Sequence, residues 1–400
     1  MQHASSHRAV LLTQFLNGIG FGLVFPVAAY YAESFDASAA MITLMVAMHP
    51  LARLLSGPWW GRLADRFGRR PVLLAGIALA ALGNLVMGVA FALPMLFVGR
   101  LLTGFGSGDA VAAAAIIADT TSGERRARGL GELRAVYGLG MLLGPLFGGV
   151  LALGGLAWPS RVAAALCVLN LFAAARSVEE TGGKGASVRL DLTLLSLPSV
   201  KQALWIALTA SLALALSESI VALAIKHVLV PHVVLPLALP VGEQALALTV
   251  GLIMIWGLSM AFVEGWLAGR LVPRFGERRL LIVGLATWAA AFLATPTAYV
   301  SGLAACVVVL IATAAAAGLT STALGSLVSR TVPEDAQGRG FGLYASAAAV
   351  GEFVGPATAG LLYERSYAWP YFAGTALLVT AIGAALSLSS TMRAAIRPSP

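Results

Sequence analysis

Twelve long apolar runs constrain the fold of this 400-residue chain more than any other feature. A helix needs ~20 predominantly apolar residues to cross a bilayer, and each run is close to that length. In lipid a segment must satisfy its own backbone hydrogen bonds, and runs of this length do so as helices, not as the ~10-residue strands of a barrel. We therefore predict an all-α membrane protein with twelve transmembrane helices at 9–32, 40–61, 72–92, 94–120, 131–153, 160–177, 203–226, 245–268, 280–297, 299–327, 341–362 and 368–390.

The position of the charges predicts how the chain lies in the membrane. Only 11% of residues are charged, against about 25% in a soluble domain. A net charge of +8 would suggest nucleic acid as the partner of a soluble protein, but 20 of the 26 Lys and Arg residues lie in alternate segments that we assign to the cytoplasm. This positive-inside pattern predicts that both termini are cytoplasmic and argues against DNA binding. The N-terminus lacks the features of a cleaved signal, so we expect the first helix to be retained.

Two sequence repeats divide the chain into halves. GRLADRFGRR, which starts at Gly61, recurs 208 positions later as GRLVPRFGER, and the segment starting at Arg128 recurs 211 positions later at Arg339. The polar interval from Arg176 to Lys201 lies between the halves. We predict an N-terminal six-helix half at 1–176, a cytoplasmic linker at 177–201 and a C-terminal half at 202–400. Parallel six-helix repeats imply a binding site at the midplane between the halves.

Three motifs resemble those of a known family. The Gly61 to Arg70 segment, between helices 2 and 3, resembles the loop signature of the major facilitator superfamily. Arg100 to Gly104 in helix 4 resembles the family's membrane-embedded arginine motif. A helix 5 stripe resembles the antiporter motif of the drug:proton exporters: Gly140, Gly144, Pro145, Gly148 and Gly149. The resemblance spans the chain and implies two pseudo-symmetric six-helix bundles and proton-coupled antiport.

The first repeat is predicted to be a cytoplasmic gate. Asp65 is expected to accept hydrogen bonds from Arg69 or Arg70, or to face the N-terminus of helix 11 near Gly340, where a helix dipole favours an anion. In the family that the chain resembles, this loop latches the outward-facing state and the acid at the inner end of helix 4 joins it. The alternative is that the arginines only set the topology. The second copy carries Pro273 in place of the acid and cannot make the same latch. The predicted gate residues are Gly61, Asp65, Arg66, Gly68, Arg69, Arg70 and Asp119.

The helix 5 glycines recur every four residues and therefore share one face. Small residues there let a neighbouring backbone approach closely, and Pro145 frees one backbone hydrogen bond. On physical grounds alone the stripe indicates ordinary tight helix packing as readily as antiport. Only the family resemblance makes it evidence for antiport.

Charged side chains inside the bilayer are costly and are therefore the candidates for proton coupling. Nine residues separate Arg100 from Asp109, which turns them to opposite faces of one helix, so we expect no pair between them. We predict instead an Asp109–Arg53 pair, with a purely structural ion pair as the alternative. Glu218 has no basic residue at its level in helix 7 and is a second possible proton carrier. The candidate set is Arg100, Asp109, Glu218, Glu352, Arg53 and His49, of which His49 is also compatible with a packing role.

A polar stripe on helix 1 predicts part of the substrate cavity. Its members are spaced by three or four residues and lie on one helix face. The rest of the cavity surface is expected to be apolar, which suits amphipathic or aromatic substrates, and helices 7 and 10 lack the converging basic residues of a phosphate site. The cavity candidates are Gln14, Asn17, Phe21, Phe25, Thr103, Ser107, Thr313 and Thr320.

These features predict a secondary active exporter, with a small molecule and protons as partners, in a bacterial inner membrane and functional as a monomer. The sequence has no ATP-binding signature, no metal-ligand spacing and no nucleophile–base constellation, so we expect no cofactor and no enzyme activity. Cys167 and Cys306 are expected to be small core residues. The alternatives are transport of an endogenous metabolite, by export or symport, and a non-transporting sensor or scaffold. The outer segment 227–240 is compatible with a lid, an interfacial segment or a longer loop.

Overall fold

The computed structural model describes residues 2–121, 124–181, 192–233, 240–332 and 337–395. These ranges contain α-helices and short helical turns, and no strand occurs within them. The α-helices are α1 (Gln2–Val24), α2 (Ala28–Glu33), α3 (Ala39–Phe67), α4 (Arg69–Gly88), α5 (Leu93–Phe105), α6 (Gly108–Thr120), α7 (Glu124–Leu153), α8 (Trp158–Ser177), α9 (Pro198–Ala224), α10 (Val241–Phe262), α11 (Ala268–Phe275), α12 (Glu277–Ser301), α13 (Leu303–Thr331), α14 (Gln337–Arg365) and α15 (Trp369–Ala395).

The predicted all-α membrane fold is confirmed. Eleven helical stretches of the described chain are long and apolar enough to cross a membrane. Together, α1 and α2 cover the predicted first run. The predicted helix 4 is interrupted, because α5 ends at Phe105 and α6 begins at Gly108. We expected Arg100 and Asp109 on opposite faces of one continuous helix, but Arg100 lies before this turn and Asp109 after it.

The chain divides into two compact units, 1–187 and 188–400, except that 249–251 groups with the first. In the first unit α1 packs against α7 and α8, and α4 packs against α5 and α8. In the second, α9 packs against α14 and α15, and α12 packs against α13 and α15. Cys167 and Cys306 are buried, one in each unit. Residues 182–191 of the predicted linker and 234–239 of the outer segment lie outside the described residues.

The two copies of the first repeat are more helical than predicted. We expected loops at 62–70 and 269–279, but α3 continues to Phe67 and α11 to Phe275. In each copy a single glycine with positive φ, Gly68 at 99° and Gly276 at 76°, separates that helix from the next. The prediction was wrong because leaving the lipid removes the need for apolar side chains but does not end a helix. The glycine ends it, since positive φ is disfavoured for other residues.

Candidate functional site

The gate residues of the first repeat converge on Arg69. The buried Arg69 guanidinium donates through Nη1 to Asp65 Oδ1 at 2.8 Å and through Nε to Asp119 Oδ2 at 3.3 Å. Asp65 is one turn before Arg69, whereas Asp119 lies at the end of α6. Because Arg69 binds both acids, it joins the end of α3, the start of α4 and the end of α6 within the first unit.

Arg66 and Gly61 take no part in this ion-pair cluster. Arg66 is exposed, and its Cζ lies 5.1 Å from the centroid of the Phe67 ring. A Cβ atom built on Gly61 would meet no described atom within 4 Å. Packing within the described chain therefore does not explain the glycine at this position.

Glu180 is a functional candidate that the sequence prediction missed. Its Oε1 accepts from the backbone N–H of Arg69 at 2.8 Å, and its Oε2 accepts from that of Arg70 at 3.2 Å. A Cβ on Gly68 would lie 2.4 Å from this carboxylate. An anion at the first turn of a helix satisfies otherwise unpaired N–H groups and interacts favourably with the helix dipole. Glu180 therefore holds the start of α4, and Gly68 provides the space.

Arg70 belongs to a feature that both repeats share. Its Nη2 donates to the carbonyl oxygen of Ala175 near the end of α8, at 2.6 Å. Arg278, at the same position of the second copy, donates through Nε to Ala385 at 3.2 Å and through Nη2 to Leu386 at 2.6 Å in α15. In each half, the last arginine of the repeat thus bonds carbonyl groups of that half's last helix. This is a structural reason for the repeat that is independent of gating.

The helix 5 stripe brings two backbones into contact. Cβ atoms on Gly140, Gly144 and Gly148 would lie 2.3, 2.5 and 2.2 Å from backbone atoms of α1. Gly149 lies off this face, because none of the three atoms nearest to a Cβ built on it belongs to α1. Pro145 also touches α1, since a Cβ on Gly22 would lie 3.0 Å from its Cδ. The glycines therefore pack α7 tightly on α1, and their role in antiport stays a prediction.

Asp109 is buried at the start of α6 and is held by amides. The side-chain N–H of Asn17 donates to Asp109 Oδ2, and the backbone N–H of Ala110 donates to Oδ1 at 2.6 Å. Asn170 Nδ2 in turn donates to Asn17 Oδ1 at 3.1 Å. These bonds link α1, α6 and α8 into one polar network within the first unit. The pair of Asp109 with Arg53 stays a prediction.

A second cluster in the first unit joins aromatic rings to a histidine. The Phe21 ring centroid lies 5.8 Å from that of Phe25 and 5.3 Å from that of His49. His49 Nδ1 lies 3.3 Å from Thr103 Oγ1, within hydrogen-bond distance. His49 also interacts electrostatically with Arg100 and Arg53. The structure therefore brings together residues predicted separately for the cavity and for proton coupling.

Several predicted polar residues have buried atoms without a hydrogen-bond partner among the described residues. These atoms are Gln14 Nε2, Ser107 Oγ, Thr320 Oγ1, and Nε and Nη2 of Arg100. Thr313 instead donates to the carbonyl oxygen of Val309 in its own helix, at 2.9 Å. Thr313 and Thr320 lie in the second unit, and their place in the cavity stays a prediction.

The second unit contains a pair of acids near buried tyrosines. Glu218 in α9 and Glu352 in α14 are close enough for their charges to interact. The hydroxyl groups of Tyr299 and Tyr371 lie 2.9 Å apart, and Tyr371 also hydrogen-bonds with Ser217, the neighbour of Glu218. The sequence prediction named the acids but missed the tyrosines, because only the packing of α9, α12 and α15 brings them together.

Sequence comparison places the chain in a family of transporters. The model of the Major Facilitator Superfamily matches residues 10–275 and 265–399. The chain is 31% identical to "Tetracycline resistance protein, class C" of Escherichia coli over 368 residues, which is 89% of each chain. It is 28% identical to "Multidrug resistance protein 1" of Bacillus subtilis (strain 168) over 95% of each chain.

A solved structure shows the same fold. A bacterial homolog of the human lysosomal transporter Spinster superposes with a TM-score of 0.80, covering 100% of this chain and 99% of that one at 17% identity. At that identity the likeness supports the fold alone. The match to the family model over most of the chain carries the assignment, and it agrees with the three motifs described above. This chain belongs to the Major Facilitator Superfamily.

Proposed function

We propose that this chain is a secondary active transporter that exports small amphipathic, drug-like compounds in exchange for protons, by alternating access. The observation that carries the proposal is its similarity, over 89% and 95% of its length, to a tetracycline resistance protein and a multidrug resistance protein. One charge moving down 100 mV provides ~2.3 kcal/mol. At ~1.4 kcal/mol per tenfold, that sustains a substrate gradient of roughly fortyfold.

The charge distribution supports a specific placement of this transporter. We place both termini in the cytoplasm, because 20 of its 26 Lys and Arg residues lie in the segments assigned to that side. We place the chain in a bacterial inner membrane because the relatives that carry the proposal come from bacteria. Its partners in this proposal are one small-molecule substrate and protons, and it functions as a monomer.

Asp109 is the proton carrier that the geometry of the first unit favours. Its side chain is buried, and its hydrogen bonds come from amide groups of Asn17 and Ala110. Amides hold a carboxylate in place without neutralising it, so proton binding at Asp109 would remove a buried charge that these partners leave uncompensated. Glu218 and Glu352 are the corresponding candidates in the second unit.

Transport in proteoliposomes tests the function. We expect an imposed pH gradient to drive tetracycline transport by the wild-type chain, and detergent-purified protein to release protons when tetracycline binds. Asp109→Asn should remove proton release while leaving expression and tetracycline binding intact. Glu179→Gln, which changes an exposed acid that follows α8, is the matched control and should behave as wild type.

Three outcomes distinguish an error about the role of Asp109 from an error about proton-coupled export. Wild-type proton release from Asp109→Asn would remove Asp109 from coupling and direct attention to Glu218→Gln and Glu352→Gln. Transport that continues without a pH gradient and without proton release would exclude proton coupling. A wild-type chain that neither binds nor moves tetracycline, nor the lipophilic cation ethidium, would contradict drug export.

A further inference from the structure

We propose that Arg100 forms an anion subsite in the first half of the protein, which binds the carboxylate of an aromatic substrate. This inference rests on the export function proposed above and adds a specific class, amphipathic aromatic anions, to the substrates of that function. It assigns Arg100 a direct contact with substrate, which differs from the proton-transfer role that its motif suggests.

Arg100 is a buried cation, and two of its donor atoms are unpaired within the described part of the chain. The residue is 3% exposed, and its Nε and Nη2 atoms have no hydrogen-bond acceptor among the residues that the structure describes. A guanidinium presents its N–H donors in a planar fork that matches the two oxygens of a carboxylate. Because a buried charge without a partner is destabilising, a ligand that supplies both acceptors would be bound with a large gain.

Arg100 forms no salt bridge with an acid among the described residues. His49 lies within electrostatic reach of Arg100 and of Arg53, so this histidine has two basic neighbours. Asp109, the acid closest in sequence, is occupied by Asn17 and the N–H of Ala110. An incoming carboxylate would therefore meet the Arg100 guanidinium with no acid already paired to it.

Aromatic side chains next to the cation specify the rest of the ligand. Thr103 lies one turn after Arg100 and contacts His49, and the His49 ring contacts that of Phe21. Phe21, Phe25 and His49 are half-buried, so their rings keep surface that a ligand can cover. A cation beside such rings fits a flat aromatic group that carries one carboxylate.

The proposal changes the charge moved in each transport cycle. One proton entering and one monoanion leaving both carry positive charge inward, so the cycle moves two charges. A neutral analogue exchanged for one proton moves a single charge. Export of the anion should therefore depend about twice as steeply on membrane potential as export of the neutral analogue.

A pair of isosteric probes tests the subsite. We would measure binding of 1-naphthaleneacetate and 1-naphthaleneacetamide to the full chain in lipid nanodiscs by calorimetry. The wild type should prefer the carboxylate by about tenfold or more, and Arg100→Gln should weaken carboxylate binding about tenfold to hundredfold while leaving amide binding within about twofold. Arg100→Lys, which keeps the charge but not the fork, should retain part of the preference.

Arg161→Gln is the matched control. Arg161 is another arginine of the first half. Unlike Arg100, it has a protein acceptor, because its Nε donates to the carbonyl oxygen of Gly88 at 2.7 Å. Its removal should leave the ratio of carboxylate to amide affinity unchanged, whatever it does to stability. The same ratio is informative for an Arg100 variant of reduced stability, because both probes are measured on one protein sample.

Two results would overturn the proposal. One is a wild-type chain that binds the carboxylate no better than the amide or does not bind it at all. The other is an Arg100→Gln variant that loses both probes equally, which would indicate a structural role. Tetracycline counterflow, measured with the same purified protein in sealed proteoliposomes, distinguishes these results from failure of export. The proposed function survives if counterflow persists without an anion preference.

Discussion

Gly68 and Gly276 show how one residue type serves two environments. Both have positive φ and both precede the third helix of their half. A Cβ on Gly68 would collide with the Glu180 carboxylate, whereas a Cβ on Gly276 would meet no described atom within 4 Å. The second copy places an acid in the chain itself, Glu277, at the first position of α12. Each helix start thus has a carboxylate. In the first half it belongs to Glu180, which is distant in sequence, and in the second half it belongs to Glu277, the first residue of the helix.

This difference predicts unequal costs for the same substitution. Gly68→Ala and Gly276→Ala should both pay ~1–2 kcal/mol for left-handed backbone strain. Gly68→Ala should lose more, because its methyl group would lie 2.4 Å from Glu180 Oε2 and would displace this carboxylate from the N–H groups of Arg69 and Arg70. Thermal unfolding in detergent is the measurement, and Gly68→Ala should melt at the lower temperature. In a Glu180→Ala background the two substitutions should cost about the same, within the ~0.5 kcal/mol expected of independent sites. An equal loss in the wild-type background would contradict the contact between Gly68 and Glu180.

The sequence predicted the members of the cluster around Arg69, but it did not predict the more distant residues that hydrogen-bond to the site residues. Asp65, Arg69 and Asp119 were recognisable because a family motif contains them and because acids next to arginines predict ion pairs. Glu180 and Asn170 were not, since each acts on a residue more than a hundred positions away. One sequence signal could have pointed to Glu180. It is an acid that follows closely on α8, the last helix of the first half, and the same half contains a helix start preceded by a glycine, Gly68.

Glycine stripes pair the same helices in both halves. In the first, Gly140 and Gly144 of α7 meet α1, where Gly18 and Gly22 supply matching small residues. In the second, Gly351 and Gly355 of α14 meet the backbone of α9 at Leu212 and Leu216. The 211-residue repeat therefore preserves a packing interface, because close backbone approach replaces the hydrophobic effect between helices in lipid.

Two glycines on one helix give a matched test of this interface. Gly144→Ala would place its methyl group 2.5 Å from the Cα of Gly22, so we expect a loss of about 1–3 kcal/mol from overpacking. Gly138→Ala, in the same helix with no described atom within 4 Å, should be neutral or stabilise the helix by roughly 0.5–1 kcal/mol. Thermal unfolding temperature and expression level in membranes are the measurements. Similar behaviour of the two variants would mean that α7 and α1 are not in close contact.

Hydrophobicity located the helices well and their ends poorly. Apolar runs report where lipid is, which is why the predicted runs correspond to observed helices. They do not report where a helix ends, so the continuation of α3 to Phe67 was missed. The break between α5 and α6 was missed for another reason. It occurs where α4 crosses closely, with Gly106 against Ala80 and Gly76 against Asp109, and a tertiary contact of this kind has no local sequence signal.

The two halves share structural contacts but differ in their acidic residues. The arginines that bond the last helix, Arg70 and Arg278, occur in both halves. The Asp65 acid and the buried Asp109 belong to the first half, while the interacting acids Glu218 and Glu352 belong to the second. The repeat thus predicted the architecture, but it could not predict the functional residues, because these differ between the halves.

The orientation of the whole chain can be tested by labelling single cysteines. The native Cys167 and Cys306 are both buried, so a Cys167→Ala/Cys306→Ala background should be little perturbed and free of thiols. Ser301 is exposed at the end of α12, and Ser196 is exposed just before α9. Three predicted membrane crossings separate them, so they must lie on opposite sides.

The positive-inside rule decides which side each cysteine occupies. We expect Ser301→Cys to react with a membrane-impermeant maleimide in intact cells and Ser196→Cys to react only after the membrane is permeabilised. Reaction of both in intact cells would contradict the predicted number of crossings between α9 and α12. The reverse pattern would place the arginine clusters outside, which would remove the cytoplasmic gate and the direction of export together, because both are defined by the side on which Asp65 and Arg69 lie.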